Sequence, residues 1–162
     1  MHGLVMKLQE EIHRPEPFAS VDQEALLNLL RIGDQLDNRL SRLFREHDLT
    51  LSRFNVLRSL VLAQRPLTCG EIADQMLQIV PGVTALVDGL ENQGLVERER
   101  STEDRRVVHV RITKRGKQFC EKVGKPLAEL ETRLFKGLSR SDVKTLIGLL
   151  EKTRESINKY GK

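Results

Sequence analysis

Between Leu95 and Ile112 the hydrophobic period of this chain changes. From Leu95 to Arg100, and again from Val107 to Ile112, the pattern is read with a period of two, most plainly in Val108-His109-Val110-Arg111-Ile112, whereas on either side apolar residues recur every three or four positions. Alternation belongs to a half-exposed strand and the longer spacing to an amphipathic helix. The sequence therefore predicts one short two-stranded ribbon set inside a helical chain. In its second run Val108, Val110 and Ile112 share one face and His109 and Arg111 the other, and Ser101-Thr102-Glu103-Asp104 reads as the hairpin loop.

Local signals mark the helices. Leu4, Val5, Leu8 and Ile12 stand at helical spacing ahead of Pro15 and Pro17, and Asp22 is a candidate cap for a longer helix carrying Leu26, Leu29, Leu30, Leu36, Leu40, Leu43 and Phe44 as one stripe. Leu51, Phe54, Leu57 and Leu60 mark a shorter helix that ends before Arg65-Pro66, because the residue before a proline disfavours the helical basin. Thr68 and Glu71 have capping-box spacing for the next helix. Pro81 suits the first turn of another, expected over Val80–Asn92 and closed by Gly94 in the left-handed conformation. Two short helices joined by a tight turn and followed by a ribbon have the outline of a helix-turn-helix with a wing. Downstream, Thr113 can cap a helix expected to kink or break near Gly124 and Pro126. Ser139 or Ser141 can start the last helix, whose Val143, Leu146, Ile147, Leu150 and Ile157 fall on one side.

Several functional classes drop out. The longest apolar runs fall well short of the roughly 20 residues that span a bilayer, and Met1 to Ile12 includes Lys7, Glu10 and Glu11 rather than the continuous apolar stretch of a secretion signal. A cytoplasmic protein is expected. Cys69 and Cys120 lack short-range ligand partners and read as free thiols, and Glu46-His47 has no spaced partners for a metal. With no Gly-rich phosphate loop, nucleophile elbow or zinc-hydrolase motif, neither catalysis nor a cofactor is expected. Residues 50–113 hold eight Lys/Arg and eight Asp/Glu, so distribution matters more than the total. Arg98, Arg100, Arg105 and Arg106 crowd one short segment, which suits contact with phosphates, the other reading being a solvated charged loop.

The stripes at both chain ends are wider than the compact middle can cover, and monomers seldom expose so much contiguous apolar surface. Either the ends fold back over their own core or two copies bury each other's ends, and two-fold symmetry is the commonest such solution. The corresponding division is a helical dimerisation region, 1–48 and 114–162, flanking a winged helix-turn-helix domain over 49–113.

Three segments, in order, resemble the MarR family of transcriptional regulators across residues 22 to about 160. They are Asp48 to Leu57, then Thr68 to Val96, then Asp104-Arg105-Arg106-Val107-Val108-His109-Val110-Arg111-Ile112-Thr113-Lys114-Arg115-Gly116, which looks like the family's wing signature. The resemblance implies a mostly α (α+β) fold and a triangular homodimer on a pseudo-palindromic operator in double-stranded DNA. It also implies a recognition helix in the major groove and a wing in the flanking minor groove. On that basis Pro81, Gly82, Thr84 and Ala85 face the bases, Gln78 reaches a base or a phosphate, Arg98 adds positive charge, and Arg105 or Arg106 enters the minor groove. Asp104 then orients an arginine through a charge-assisted hydrogen bond. Where members often carry arginines in the recognition helix, this chain has Ala85 and Gly89, and it adds Asp88 and Glu91.

The same resemblance implies repression relieved by a small aromatic or phenolic effector held between the dimer helices and the DNA-reading lobe. Arg39 or Arg42 is a candidate partner for a carboxylate there. The arginine-poor helix keeps a different class in view, a winged module for protein–protein contact without specific DNA binding.

Overall fold

The structure, a computed structural model, describes residues 6–78, 82–101, 104 and 106–161. Its elements run α1 (Leu8–Glu11), α2 (Val21–Arg45), α3 (Leu51–Ala63), β1 (Leu67–Thr68), α4 (Cys69–Asp74), α5 (Val83–Asn92), β2 (Val96–Arg100), β3 (Val108–Ile112), α6 (Lys114–Leu134) and α7 (Arg140–Tyr160). The fold is mostly helical, with one small sheet, and the chain divides into two units, Met1–Leu51 and Ser52–Lys162.

In the first unit, α2 begins where the Ser20 hydroxyl accepts from the amide of Gln23 at 3.1 Å, while the Gln23 side chain accepts from the amide of Ala19 at 2.8 Å. Ser20 thus takes the capping role expected of Asp22, which lies inside the first turn and there complements the helix dipole. Glu11 ties the short α1 to α2 through Arg31 at 2.7 Å and Gln35 at 3.1 Å. Leu4 and Val5, expected in that first helix, lie outside the described residues. Along α2 the stripe divides: Phe44 is fully buried, whereas Leu26 and Leu30 are both more than half exposed. Asp48 ends the helix at a φ of 53°, and the amides of Asp48 and Leu49 return to the carbonyls of Arg45 and Phe44. Aspartate tolerates this left-handed conformation better than most side chains.

In the second unit, Phe54, Val56, Leu57 and Leu60 of α3 are buried, as are Ile72, Val87, Leu90 and Val110. The sheet is antiparallel in the order β1-β3-β2, with Val96 opposite Ile112 and Arg100 opposite Val108. The predicted ribbon is β2 and β3. Hydrophobic periodicity does not reveal β1, whose Leu67 and Thr68 pair with Val110 and His109. A strand of two residues is too short to show a period.

Thr68 closes β1 and caps α4 at once. Its hydroxyl accepts from the amide of Glu71 at 3.2 Å, and the Glu71 carboxylate accepts from the amide of Thr68 at 2.7 Å. α6 runs unbroken through Gly124 and Pro126, so of the kink or break expected there the break does not occur. A proline removes a single backbone donor, and buried Val123 and Leu127 secure the helix on either side of it. Ser139, rather than Ser141, starts α7 in a capping box with Asp142. α7 buries none of its residues, and no helix among the described residues is long and apolar enough to cross a membrane.

Candidate nucleic-acid interface

α4 and α5 pack on each other, and α5 packs on β2. α5 starts at Val83, later than the expected Val80, because Gly82 stands at the N-cap with a φ of 88°. That left-handed conformation is open to glycine at little cost. Gly82 supplies no side-chain cap, and the amide of Ala85 returns to the Gly82 carbonyl at 3.0 Å, so the amides of Val83 and Thr84 are the candidates for an outside acceptor. Val83, Val87 and Leu90 are buried, which turns Thr84, Ala85 and Asp88 outward. Gly82, Thr84 and Ala85 are exposed together at one end of the helix, and Gln78 is exposed in the segment before it. Pro81 lies outside the described residues.

A lock of backbone and hydroxyl contacts fixes the wing relative to α5. Gly94, at a φ of 68°, closes the helix, and its amide and that of Leu95 return to the carbonyls of Glu91 and Leu90 at 2.8 and 2.9 Å. The Thr113 hydroxyl donates to the carbonyls of Gly94 at 2.9 Å and Leu95 at 3.1 Å, and accepts from the amide of Gly116 at 2.9 Å. A methyl group on Gly116 would overlap the carbonyl oxygen of Leu95. The Thr-x-x-Gly step after β3 is therefore a point of close backbone approach that joins α6 to the turn following α5.

Arg98 does not stand clear on the ribbon. From β2 it reaches back to α5, where its guanidinium pairs with Glu91 and with Asp88 and donates to the carbonyl of Thr84 at 3.3 Å. Its backbone amide also donates to Glu91 at 3.0 Å. Partial burial works against the charge, but the hydrogen bonds that the guanidinium donates to Asp88 and Glu91 outweigh it, and the group is held still more firmly protonated than usual. The two carboxylates that make α5 look acidic in sequence are thereby compensated. At Gly89, the guanidinium of Arg53 occupies the space that a Cβ would fill. A cation thus reaches α5 from α3 at a position where the helix carries none of its own, a contact that sequence spacing does not reveal.

In the wing, Asp104 acts on the backbone. Its carboxylate accepts from the amide of Arg106 at 2.9 Å, and its own amide donates to the Ser101 hydroxyl at 3.3 Å. Ser101 and Val107 close the loop through an amide-to-carbonyl bond of 2.9 Å. This turn contact suits a short side chain, which readily reaches the amide two residues on, and it engages the backbone of Arg106. Arg106 is exposed, and Arg105 lies outside the described residues. Arg100, at the end of β2, is likewise exposed with no ionic partner among the described residues, whereas Arg111 pairs with Glu99 at 2.9 Å. Arg100 joins the candidate contacts on that ground.

Burial raises the Cys120 thiol above its ordinary value, despite the opposing charge of Arg58, and so keeps it protonated. No cluster of three or more potential metal ligands occurs among the described residues.

A helix-turn-helix whose second helix is locked to a β-ribbon defines the winged helix-turn-helix class. The profile of the MarR family matches residues 47–107. The HTH-type transcriptional regulator YkoM of Bacillus subtilis is 30% identical over 139 residues, covering 83% of this chain and 90% of that protein. The HTH-type transcriptional repressor IacR of Pseudomonas putida is 32% identical over 123 residues, covering 76% and 73%. Among solved structures, a Cys-to-Ser variant of Escherichia coli MarR complexed with operator DNA is 29% identical, with a TM-score of 0.70 over 83% of this chain and 99% of that one. The chain belongs to the MarR family and is a DNA-binding transcriptional regulator.

Proposed function

We propose that this protein is a homodimeric, cytoplasmic repressor that binds a pseudo-palindromic operator and is released from it by a small-molecule effector. The observation that carries the reading is the exposed, uncapped start of α5, with Gly82, Thr84 and Ala85 outward and Arg98 clamping the far carboxylates. In this reading those three residues and Gln78 meet base edges and phosphates in the major groove, with Pro81 beside them. Arg106, Arg105 and Arg100 follow the wing into the minor groove, where narrow width concentrates negative potential. Arg98 serves the interface by neutralising α5 rather than by touching DNA. The scarcity of arginine on α5 was the feature that favoured a protein-binding module, and it counts for less where Arg98 compensates the carboxylates of α5 and Arg53 reaches Gly89 from α3.

The deciding experiment is titration of the protein with its own upstream DNA over a range of salt, beside an Arg105→Ala/Arg106→Ala variant. Salt-steep binding by wild type is the expected result, with the log–log slope of the variant shallower by about 0.9 for each phosphate it no longer neutralises. Salt-insensitive association, or a variant that binds as wild type does, would overturn the assignment of the wing.

A further inference from the structure

Glycine is a weak helix former, so a glycine that serves packing inside a helix has a neighbour where its Cβ would stand. Gly33, Gly124 and Gly148 have no such neighbour within 4 Å. Gly89 has one: Nη2, Cζ and Nε of Arg53 lie 2.5, 2.8 and 3.1 Å from the position that a Cβ would take. The Arg53 guanidinium, carried near the start of α3, thus lies directly against the backbone of α5, and Arg53 is half-buried there. Gly89 follows Ala85 by four residues, so the two share one side of the helix, about 6 Å apart along its axis. Ala85 is exposed on that side. Arg98 covers the adjacent side, where it holds Asp88, Glu91 and the carbonyl of Thr84. Two cations therefore flank a helix that has no Lys or Arg between Val83 and Asn92. One is bound to carboxylates of α5, and the other rests on a position that has no side chain.

We infer that Arg53 is a DNA-contacting residue that binds a backbone phosphate beside the major groove, and that Gly89 is the seat that lets a residue of α3 do so. This inference rests on the reading of α5 as the DNA-contacting helix. In that reading the first turn of α5, with Ala85, faces the base edges. One turn further along the same side the helix meets the sugar-phosphate wall of the groove, where a guanidinium makes paired, charge-assisted hydrogen bonds to phosphate oxygens. Carrying that guanidinium on α3 rather than on α5 has two physical consequences. Ala85 and Gly89 leave nothing longer than a methyl on their side, so the backbone of α5 can lie close to the groove. A side chain already packed against a second helix also loses less conformational freedom on binding than one projecting into solvent. Phosphates are the same in every sequence, so Arg53 sets affinity and register and leaves base discrimination to Thr84 and Gln78.

The test is fluorescence anisotropy of the intact chain on its own upstream duplex and on an unrelated duplex of the same length, across a range of salt, with a thermal melt of every variant. Arg53→Gln should weaken both duplexes by the same factor, about tenfold, and make the log–log salt slope shallower by about 0.9. Arg53→Lys, which keeps the charge, should keep the slope. Arg53→Gln/Gly89→Arg returns a guanidinium to the same space from α5 itself and should recover the slope on both duplexes. An arginine that merely packs α3 on α5 would lower the melting temperature in Arg53→Gln and leave the slope unchanged throughout, which would overturn the inference. Weakening confined to the upstream duplex, or a double variant no better than Arg53→Gln, would overturn it too. Ala85→Asp separates this inference from the reading beneath it, because a carboxylate at that exposed position should abolish binding to the upstream duplex. If it does so while Arg53→Gln binds as wild type does, Arg53 alone loses its role. If Ala85→Asp binds as wild type does, α5 is not the contacting helix and both fall.

Discussion

Arg98 shows how far a residue's role departs from its type. In the sequence it is one of four arginines crowded near a hairpin, and its charge alone groups it with the phosphate contacts. The structure pairs it with Asp88 and Glu91, ten and seven residues earlier on another element. Periodicity within β2 carries no trace of that pairing, because the partners meet only when the ribbon folds against α5. Arg98→Ala should leave two uncompensated carboxylates beside the DNA and weaken operator binding about tenfold or more, since like charges opposed across an interface are costly. Adding Asp88→Asn and Glu91→Gln to that variant should restore most of the affinity, measured by fluorescence anisotropy at fixed salt. An arginine that contacted phosphate directly would allow no such rescue. Gly89 makes the same point in reverse: an apparent loss of a family arginine coincides with Arg53 filling the space from α3.

Elements were legible wherever their boundaries are written in nearby side chains. The capping box of Thr68 and Glu71, the left-handed Gly94 and the Thr113 cap each depend on groups within a few residues, and each is present. Boundaries set by competition or by packing were less so. Ser20 and Asp22 are both good caps, and the reach of Gln23 back to Ala19 accompanies the choice of Ser20. Pro126 marks a break only if nothing holds the helix across it, and Val123 and Leu127 do. The α4 cap also has a pH signature. The side-chain bond from Arg65, then the backbone bond from Thr68, hold the Glu71 carboxyl at about 2, below its ordinary 4.5. A depressed folded-state value means that the contribution to stability is complete above the unfolded value and disappears as pH falls through the folded one. Stability should therefore decline between about pH 4.5 and 2 partly through Glu71. Glu71→Gln, which keeps the acceptor and cannot titrate, should flatten that limb in urea melts taken across the range. An acid limb as steep as wild type would show that the cap does not contribute.

At the scale of the whole molecule, apolar surface is left over. α7 buries none of its residues, and Ile147, Leu150 and Ile157 are 49%, 41% and 61% exposed. Val143, Leu150 and Ile157 recur at sevens, the spacing that keeps a row on one side of a helix. Such a row is ordinary at a subunit interface and uncommon as free surface. If a second copy covers it, a lysine introduced there is nearly free in the monomer, where the site is already wet, and costly only in the dimer. Leu150→Lys/Ile157→Lys should accordingly leave the circular dichroism spectrum and the melting of the isolated chain almost unchanged. The dimer dissociation constant, read by sedimentation, should rise by about two orders of magnitude, the scale expected for burying charge in an apolar contact. Operator affinity should fall with it, because a pseudo-palindromic site engages two wings only when the halves arrive together. A variant that still sediments as a dimer would move the interface away from α7. A wild-type protein that sediments as a monomer while binding DNA tightly would remove the dimer from the proposed mechanism altogether.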